Sequence, residues 1–117
     1  MTTPATATRT PAFERVPPPL LAAGYARLPD ITAALGVAHS TTCRSAQNGH
    51  YGKTEKISGC FFVRISAVLK YERNRGESEV KLRGLVELAE ATRQEAIRLG
   101  LQPVEGEFAL CGLPKAT

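Results

Sequence analysis

The sequence predicts a mainly α-helical protein with one small β-hairpin. Three observations predict it. Residues 27–48 carry two short apolar patterns with helical spacing, separated by a turn. Residues 53–63 form two short runs around the turn dipeptide Ser58-Gly59, and residues 79–99 keep one apolar stripe of helical period. The chain of 117 residues is long enough for one domain with a modest core.

Composition favours a soluble, cytoplasmic protein. The hydrophobic fraction is 43%, and no apolar run approaches the roughly 20 residues of a membrane span. The N-terminus lacks the apolar centre of a signal peptide, so we expect neither secretion nor a membrane partner. The three cysteines, Cys43, Cys60 and Cys111, are odd in number and far apart. They do not support a disulfide framework, and a reducing cytoplasm is the simpler expectation.

Positive charge is concentrated in the middle of the chain. The net charge is +4, yet residues 25–75 contain eight basic and three acidic side chains, whereas residues 76–117 contain five basic and seven acidic ones. A concentrated basic surface is expected of a protein that displaces counterions from phosphates. The alternative is a solvated basic face without a partner.

Residues 1–24 are predicted to be a disordered arm outside the core. The segment is rich in Thr, Pro and Ala and contains three consecutive prolines, 17–19. Such a composition buries too little apolar surface to offset the loss of conformational entropy. Arg9 and Arg15 could contact a DNA backbone, but a plain tail is the simpler expectation.

The first predicted helix begins near Pro29. Proline suits the first helical turn, and Asp30 places a negative charge near the positive end of the helix dipole. Ile31 and Leu35 are four residues apart and share one face. Gly36 can adopt the left-handed conformation that ends a helix, so a turn follows.

The second predicted helix runs from about His39 to Asn48. Ser and Thr at its start can act as a cap, and Gly49 lies just past its end. Thr42 and Ala46 form its inner stripe. The remaining faces carry hydrogen-bonding side chains, which we predict to contact DNA: His39, Ser40, Thr41, Arg44, Gln47 and Asn48. A short polar helix held by a turn against a small apolar helix is the arrangement that enters a major groove.

Within this set, the side-chain chemistry suggests individual roles. Arg44 has the two-pronged donor geometry that recognises a guanine edge, and Gln47 or Asn48 could recognise adenine. A phosphate contact by Arg44 is nearly as well supported, because half or more of such hydrogen bonds go to the DNA backbone.

The predicted hairpin spans residues 53–63. Ser58-Gly59 suits a tight turn, and we expect Phe61 and Val63 to form the inner pair because a lone hairpin is stable only when an apolar face docks on a helix. Three side chains would then project toward phosphate or the adjacent groove: Lys53, Lys56 and Ser58. Ordinary protection of a strand edge is an equally open interpretation of the two lysines.

A closing helix is predicted over residues 64–73. Ser66 is its expected cap, and its inward residues should be Val68, Leu69 and Tyr71. The polar segment 74–78 ends this unit, so we divide the chain into a domain at residues 25–75 and a C-terminal helix and tail at residues 76–117.

The longest periodic segment, residues 79–99, is predicted to be one helix and a possible oligomerisation element. Gly84 weakens it by about 1 kcal/mol relative to Ala and could permit a close backbone approach. Packing on its own domain is the alternative to self-association. Phe108 and Leu110 are possible docking residues in the tail. The proposed seam repeats at spacings of three and four: Leu82, Leu85, Ala89, Thr92, Ala96 and Leu99.

Residues 25–71 resemble the winged helix-turn-helix of the excisionase and MerR-like superfamily, which includes AlpA-type regulators and the DNA-binding domain of phage terminase small subunits. The likeness depends on the motif L-G-V-x-x-S-T-x-x-R, which runs from Leu35 to Arg44, and on the residues that follow it: Gly49, Gly59, Phe61 and Val63. The resemblance implies a winged helix-turn-helix followed by a long C-terminal helix.

The chain also departs from the pattern of this superfamily. Thr42, Cys43 and Ala46 stand where the family usually has apolar residues inside the second helix, so that helix should be packed less firmly by its own side chains. Cys60 and Phe62 stand where the wing often carries Arg. Nothing resembles the inducer-binding region of full-length MerR regulators, so no small-molecule ligand is expected.

The resemblance implies a non-enzymatic, sequence-specific binder of double-stranded DNA from a phage or mobile element. It would be an excisionase-like recombination directionality factor or a transcriptional regulator, acting as a homodimer or higher homo-oligomer. A terminase small subunit that recognises packaging DNA is one alternative. A protein-binding adaptor that keeps the helix pair as a scaffold is another.

Catalytic and metal sites find little support in the sequence. No Gly-rich phosphate loop, H-E-x-x-H or G-x-S-x-G motif occurs. His39 and Cys43, even with His50 and Cys60, match no zinc-binding spacing. We therefore expect neither an enzyme nor a bound metal or cofactor.

Overall fold

A computed structural model of the protein describes residues 13–114, which form six α-helices and three strands. A single 3-10 turn at Phe13–Arg15 comes first. The elements then follow in the order α1 Pro18–Ala22, β1 Tyr25–Arg27, α2 Leu28–Leu35, α3 His39–Gln47, β2 Glu55–Ile57, β3 Cys60–Arg64, α4 Ile65–Asn74, α5 Glu79–Arg98 and α6 Glu105–Leu110. The molecule is mainly helical, with a small antiparallel sheet and one long helix, as the sequence predicts.

The sheet has three strands in the order β1-β3-β2, one more than the predicted hairpin. β1 is only three residues long, and it pairs with β3 so that Ala26 lies opposite Val63. β3 is therefore the central strand, with β2 on its other edge. Three residues between Gly24 and the helix start at Leu28 give too short a pattern for the sequence to identify as a strand.

The predicted inner pair of β3 was half wrong. Val63 is buried, but Phe61 is 41% exposed and its neighbour Phe62 is only 1% exposed. Successive side chains of a strand point to opposite faces, and both faces of this sheet are covered. Val63 belongs to the larger apolar cluster, whereas Phe62 belongs to a second cluster with Val16 and Leu21.

The prediction of a disordered arm was wrong for residues 13–24. These residues form the 3-10 turn and α1, and Val16 and Leu21 are buried against Tyr25. The prolines that suggested an extended chain occupy the first turn of α1, where a missing N–H leaves no helical hydrogen bond unmade. Residues 1–12, including Arg9, lie outside the described residues; Arg15 is exposed.

α5 is the central helix of the fold, packed against α1, α2, α4 and α6. The predicted oligomerisation seam was therefore wrong for all but one of its six residues: Leu82, Leu85, Ala89 and Ala96 are buried inside the chain. Thr92 of the same stripe is buried too. Leu99, just past the helix end, is 48% exposed. A stripe of small and medium side chains can pack on a neighbouring helix of the same domain as well as on a partner, and here it does the former.

The tail returns to the core through α6, an element that the sequence did not indicate. Phe108 is fully buried, as expected of a docking residue, whereas Leu110 is 66% exposed. The Val104 N–H donates to the Ala22 carbonyl at 2.8 Å, which ties the tail to α1. Ser66 does not cap α4; its hydroxyl instead donates to Glu107 Oε1 of α6 at 2.8 Å.

No helix among residues 13–114 is both long enough and apolar enough to cross a lipid bilayer.

Candidate nucleic-acid interface

α2 and α3 form the helix pair that the sequence predicts. α2 ends at Gly36, whose φ of 71° is left-handed and whose N–H donates to the Thr32 carbonyl at 2.9 Å. Ile31 and Leu35 are buried, so α2 is fixed to the core by the predicted face. Three residues, 36–38, connect the helices, and α3 then begins at His39.

α3 is held against α2 by hydroxyl groups. Thr42 is its one buried residue, and Thr42 Oγ1 lies 2.5 Å from Thr32 Oγ1 of α2. One of the two hydroxyls donates to the other, and the accepting hydroxyl keeps its proton for a backbone carbonyl: that of Leu28, 3.1 Å from Thr32 Oγ1, or that of His39, 3.0 Å from Thr42 Oγ1. The predicted Ser/Thr cap was wrong, because the residue before the helix is Ala38 and no side chain caps it.

The outward face of α3 is polar and free of acidic residues. His39 is oriented by its Nδ1, which lies 2.9 Å from Thr32 Oγ1. Arg44 forms no ion pair with any residue in the described range 13–114. All six predicted DNA-contacting residues of the helix are exposed: His39, Ser40, Thr41, Arg44, Gln47 and Asn48.

The hairpin carries the remaining predicted residues. Ser58 (φ 52°) and Gly59 (φ 80°) are both left-handed, the conformation of a two-residue type I′ turn. Lys53, Lys56 and Ser58 are exposed. The Lys56 ammonium lies 5.4 Å from the Phe61 ring centroid. The Lys53 ammonium lies 3.7 Å from Glu55 Oε2, which offsets part of its charge.

α3 and the hairpin face each other across an apolar groove. The groove has a volume of about 190 Å³ and is lined by Leu28, Cys43, Ala46, Gln47, Thr54 and Phe61. Three residues of α3 line the groove, and two of them, Cys43 and Ala46, have small side chains that leave it unfilled. The shared groove places the helix and hairpin residues on adjoining parts of the surface.

Sequence reasoning missed a buried polar network behind the end of α3. Tyr51, which lies between the predicted second helix and the predicted hairpin, is buried, and its hydroxyl donates to Glu72 Oε2 at 2.9 Å. Arg75 Nη1 donates to the other carboxylate oxygen of Glu72 at 3.0 Å. Burial, together with the hydrogen bond to Glu72, raises the pKa of the Tyr51 phenol. A large aromatic residue between two glycines was the available signal, since it is an unusual choice for a solvated loop.

The described part of the chain contains no group of three or more His, Cys, Asp or Glu side chains arranged to hold a metal ion. Cys43, Cys60 and Cys111 are free thiols. Burial raises the pKa of the Cys111 thiol from its ordinary 9.0 to about 11, so this thiol stays protonated at neutral pH.

No family model, curated protein or solved structure matches the chain.

Proposed function

We propose that the protein binds double-stranded DNA sequence-specifically as a winged helix-turn-helix. α3 would enter the major groove, and the β2–β3 hairpin would lie against the neighbouring backbone. The observation that carries this proposal is the outward face of α3, on which six adjacent polar side chains are exposed and no carboxylate repels phosphate. The basic excess of residues 25–75 supports the same target.

The biological role that fits best is recombination or transcription control in the cytoplasm, by a protein of a phage or mobile element. This part of the proposal rests on the resemblance to the excisionase and MerR-like superfamily in the motif from Leu35 to Arg44. Excisionase-like proteins need no active site, because they act by binding and coating or bending the duplex.

The burial of the α5 stripe favours this role over that of a terminase small subunit. That role requires oligomerisation through later helices, and the stripe of α5 is buried inside the chain. Homo-oligomerisation would have to use other surfaces, such as side-by-side contacts on neighbouring DNA sites. Light scattering with and without DNA tests this: assembly only on the duplex fits a recombination or regulatory role, whereas a free ring of many subunits would favour packaging.

Replacement of Arg44 by Ala tests the DNA-binding proposal. We expect R44A to weaken binding to a duplex selected from a random-sequence pool by about 1–3 kcal/mol, because Arg44 would lose its guanine or phosphate contact. Fluorescence anisotropy titration at low salt measures the change.

Arg98→Ala is the control. Arg98 lies about 20 Å along α5 from the contact with α2 and its guanidinium is paired with Glu95, so its loss should leave binding unchanged. Lys56→Ala should reduce the slope of the logarithm of the binding constant against the logarithm of salt concentration by the amount due to about one phosphate contact. If the wild-type protein binds no duplex at low salt, the adaptor hypothesis replaces this proposal.

A further inference from the structure

We infer that Tyr51 is a positioning residue for α3. Its buried phenol, hydrogen-bonded to Glu72, fixes the C-terminal end of α3 against α4 and sets the direction of the DNA-facing side chains in that half of the helix. The predicted effect on DNA binding rests on the proposed function. The hydrogen-bonded contact between Tyr51 and Glu72, called the clamp below, is a property of the free protein.

α3 has little apolar anchorage of its own. Thr42, its single buried residue, lies in the N-terminal half, where its hydroxyl meets Thr32. In the C-terminal half, Ala46 is only half-buried; it packs against the larger apolar cluster with a single methyl group and borders the open groove of about 190 Å³. Phe61 on the opposite wall of this groove is 41% exposed and leaves it unfilled. A helix beside an unfilled groove lacks the close packing that would resist a tilt.

The backbone after α3 connects Tyr51 rigidly to the last turn of the helix. The Asn48 N–H donates to the Arg44 carbonyl at 2.9 Å, and the His50 N–H donates to the Ser45 carbonyl at 2.9 Å. Gly49 is left-handed, with a φ of 79°, and so turns the chain sharply back. Because this backbone is fixed, holding the Tyr51 side chain in place also holds the last turn of α3 in place.

The partner of Tyr51 is itself held from both sides. Glu72 is buried on α4, and its two carboxylate oxygens accept from the Tyr51 hydroxyl at 2.9 Å and from Arg75 Nη1 at 3.0 Å. The His50 ring stacks on Tyr71 with centroids 4.5 Å apart and an interplanar angle of 12°. Hydrogen bonds to a buried charged group are among the stronger ones, and removing one partner leaves the other incompletely satisfied.

Tyr51→Phe, which keeps the ring and removes only the hydroxyl, tests the inference. We expect amide hydrogen exchange at Gln47, Asn48 and His50 to accelerate about tenfold or more, because the end of α3 opens more often. Exchange in α5 should stay unchanged. Binding to the selected duplex should weaken about tenfold, with an unchanged salt slope and little change on a scrambled duplex of the same composition.

Tyr25→Phe is the matched control. Tyr25 is also buried, but it lies in the second cluster, and none of the hydrogen bonds among residues 13–114 involves its hydroxyl. Glu72→Gln is a second test, since the amide oxygen can still accept from Tyr51, and it should therefore accelerate exchange at the end of α3 less than Y51F does.

The inference is overturned if Y51F changes the exchange of α3 no more than Y25F does, or if all helices accelerate together, which would mean a general loss of stability. It is also overturned if Y51F binds the selected and scrambled duplexes as the wild type does. If the wild type binds no DNA while exchange at the end of α3 responds as expected, the proposed function fails and the clamp stands.

Discussion

Gly84 determines how closely α5 approaches α2. A Cβ added there would overlap the Ala34 carbonyl oxygen and lie 3.2 Å from the carbonyl carbon. The obstacle is backbone, which cannot rotate away as a side chain can. The close backbone approach suggested by the sequence therefore exists. It fixes the position of α2, against which α3 packs.

Replacement of Gly84 by Ala should lower the free energy of unfolding by about 3 kcal/mol, because the two helices must separate to admit the methyl group. Urea denaturation measures the loss. The gain in helix propensity, about 1 kcal/mol, is too small to compensate.

Gly106→Ala is the matched control for this prediction. Gly106 is on α6, and nothing lies within 4 Å of a Cβ built there. Its replacement should raise stability by about 0.5 kcal/mol. Equal effects of the two substitutions would show that the contact between α5 and α2 is not as close as described.

At the scale of elements, the hairpin depends on a turn in which two successive residues are left-handed. Gly59 tolerates this conformation, but Ser58 adopts it with a side chain that is not the best suited to it. Asn is favoured at this position of a type I′ turn because its short polar side chain accepts the left-handed region.

Ser58→Asn should therefore stabilise the protein by about 0.5 kcal/mol, and Gly59→Ala should destabilise it by about 1–2 kcal/mol. Thermal unfolding followed by circular dichroism measures both. Ser40→Asn on exposed α3, where the backbone is helical, should give no such gain; a gain there as large as at Ser58 would argue against the turn geometry as the cause.

At the scale of the whole molecule, residues 13–114 contain two apolar clusters that share the sheet and α5. Val63 and Leu85 belong to the larger cluster, and Phe62 and Ala96 belong to the second. Phe108 closes the larger cluster from the tail and also lies near Gly24, where a Cβ would meet its ring at 3.8 Å. Elements that share one sheet and one helix should unfold together.

Phe108→Ala should lower the free energy of unfolding by about 3–5 kcal/mol while unfolding remains a single transition. Denaturant unfolding followed by both fluorescence and circular dichroism tests this. Leu110→Ala, two residues away and mostly exposed, should change stability by less than about 0.5 kcal/mol. Two separate transitions, or a small effect of F108A, would show that the tail is not part of the core.

Much of the candidate interface could be predicted from patterns of residues close together in the sequence. Gly36, the Ser58-Gly59 turn and the polar face of α3 were found because each depends on backbone preferences or on spacing within one or two helical turns. The sequence missed β1, α6 and the packing of residues 13–24 through Val16 and Leu21, because these short segments are stabilised mainly by contacts with distant parts of the chain.

Local sequence patterns were enough to find the helix pair, the hairpin and the side chains that α3 exposes. Which residues are buried, and against what, depends on the folded chain: Phe62 is buried as well as Val63, the stripe of α5 packs within the chain, and Tyr51 is hydrogen-bonded to Glu72. Apolar periodicity shows which face of a helix or strand will be buried, but it does not show which other element packs against that face. The covering surface comes from residues far away in the sequence, which only the folded chain brings together.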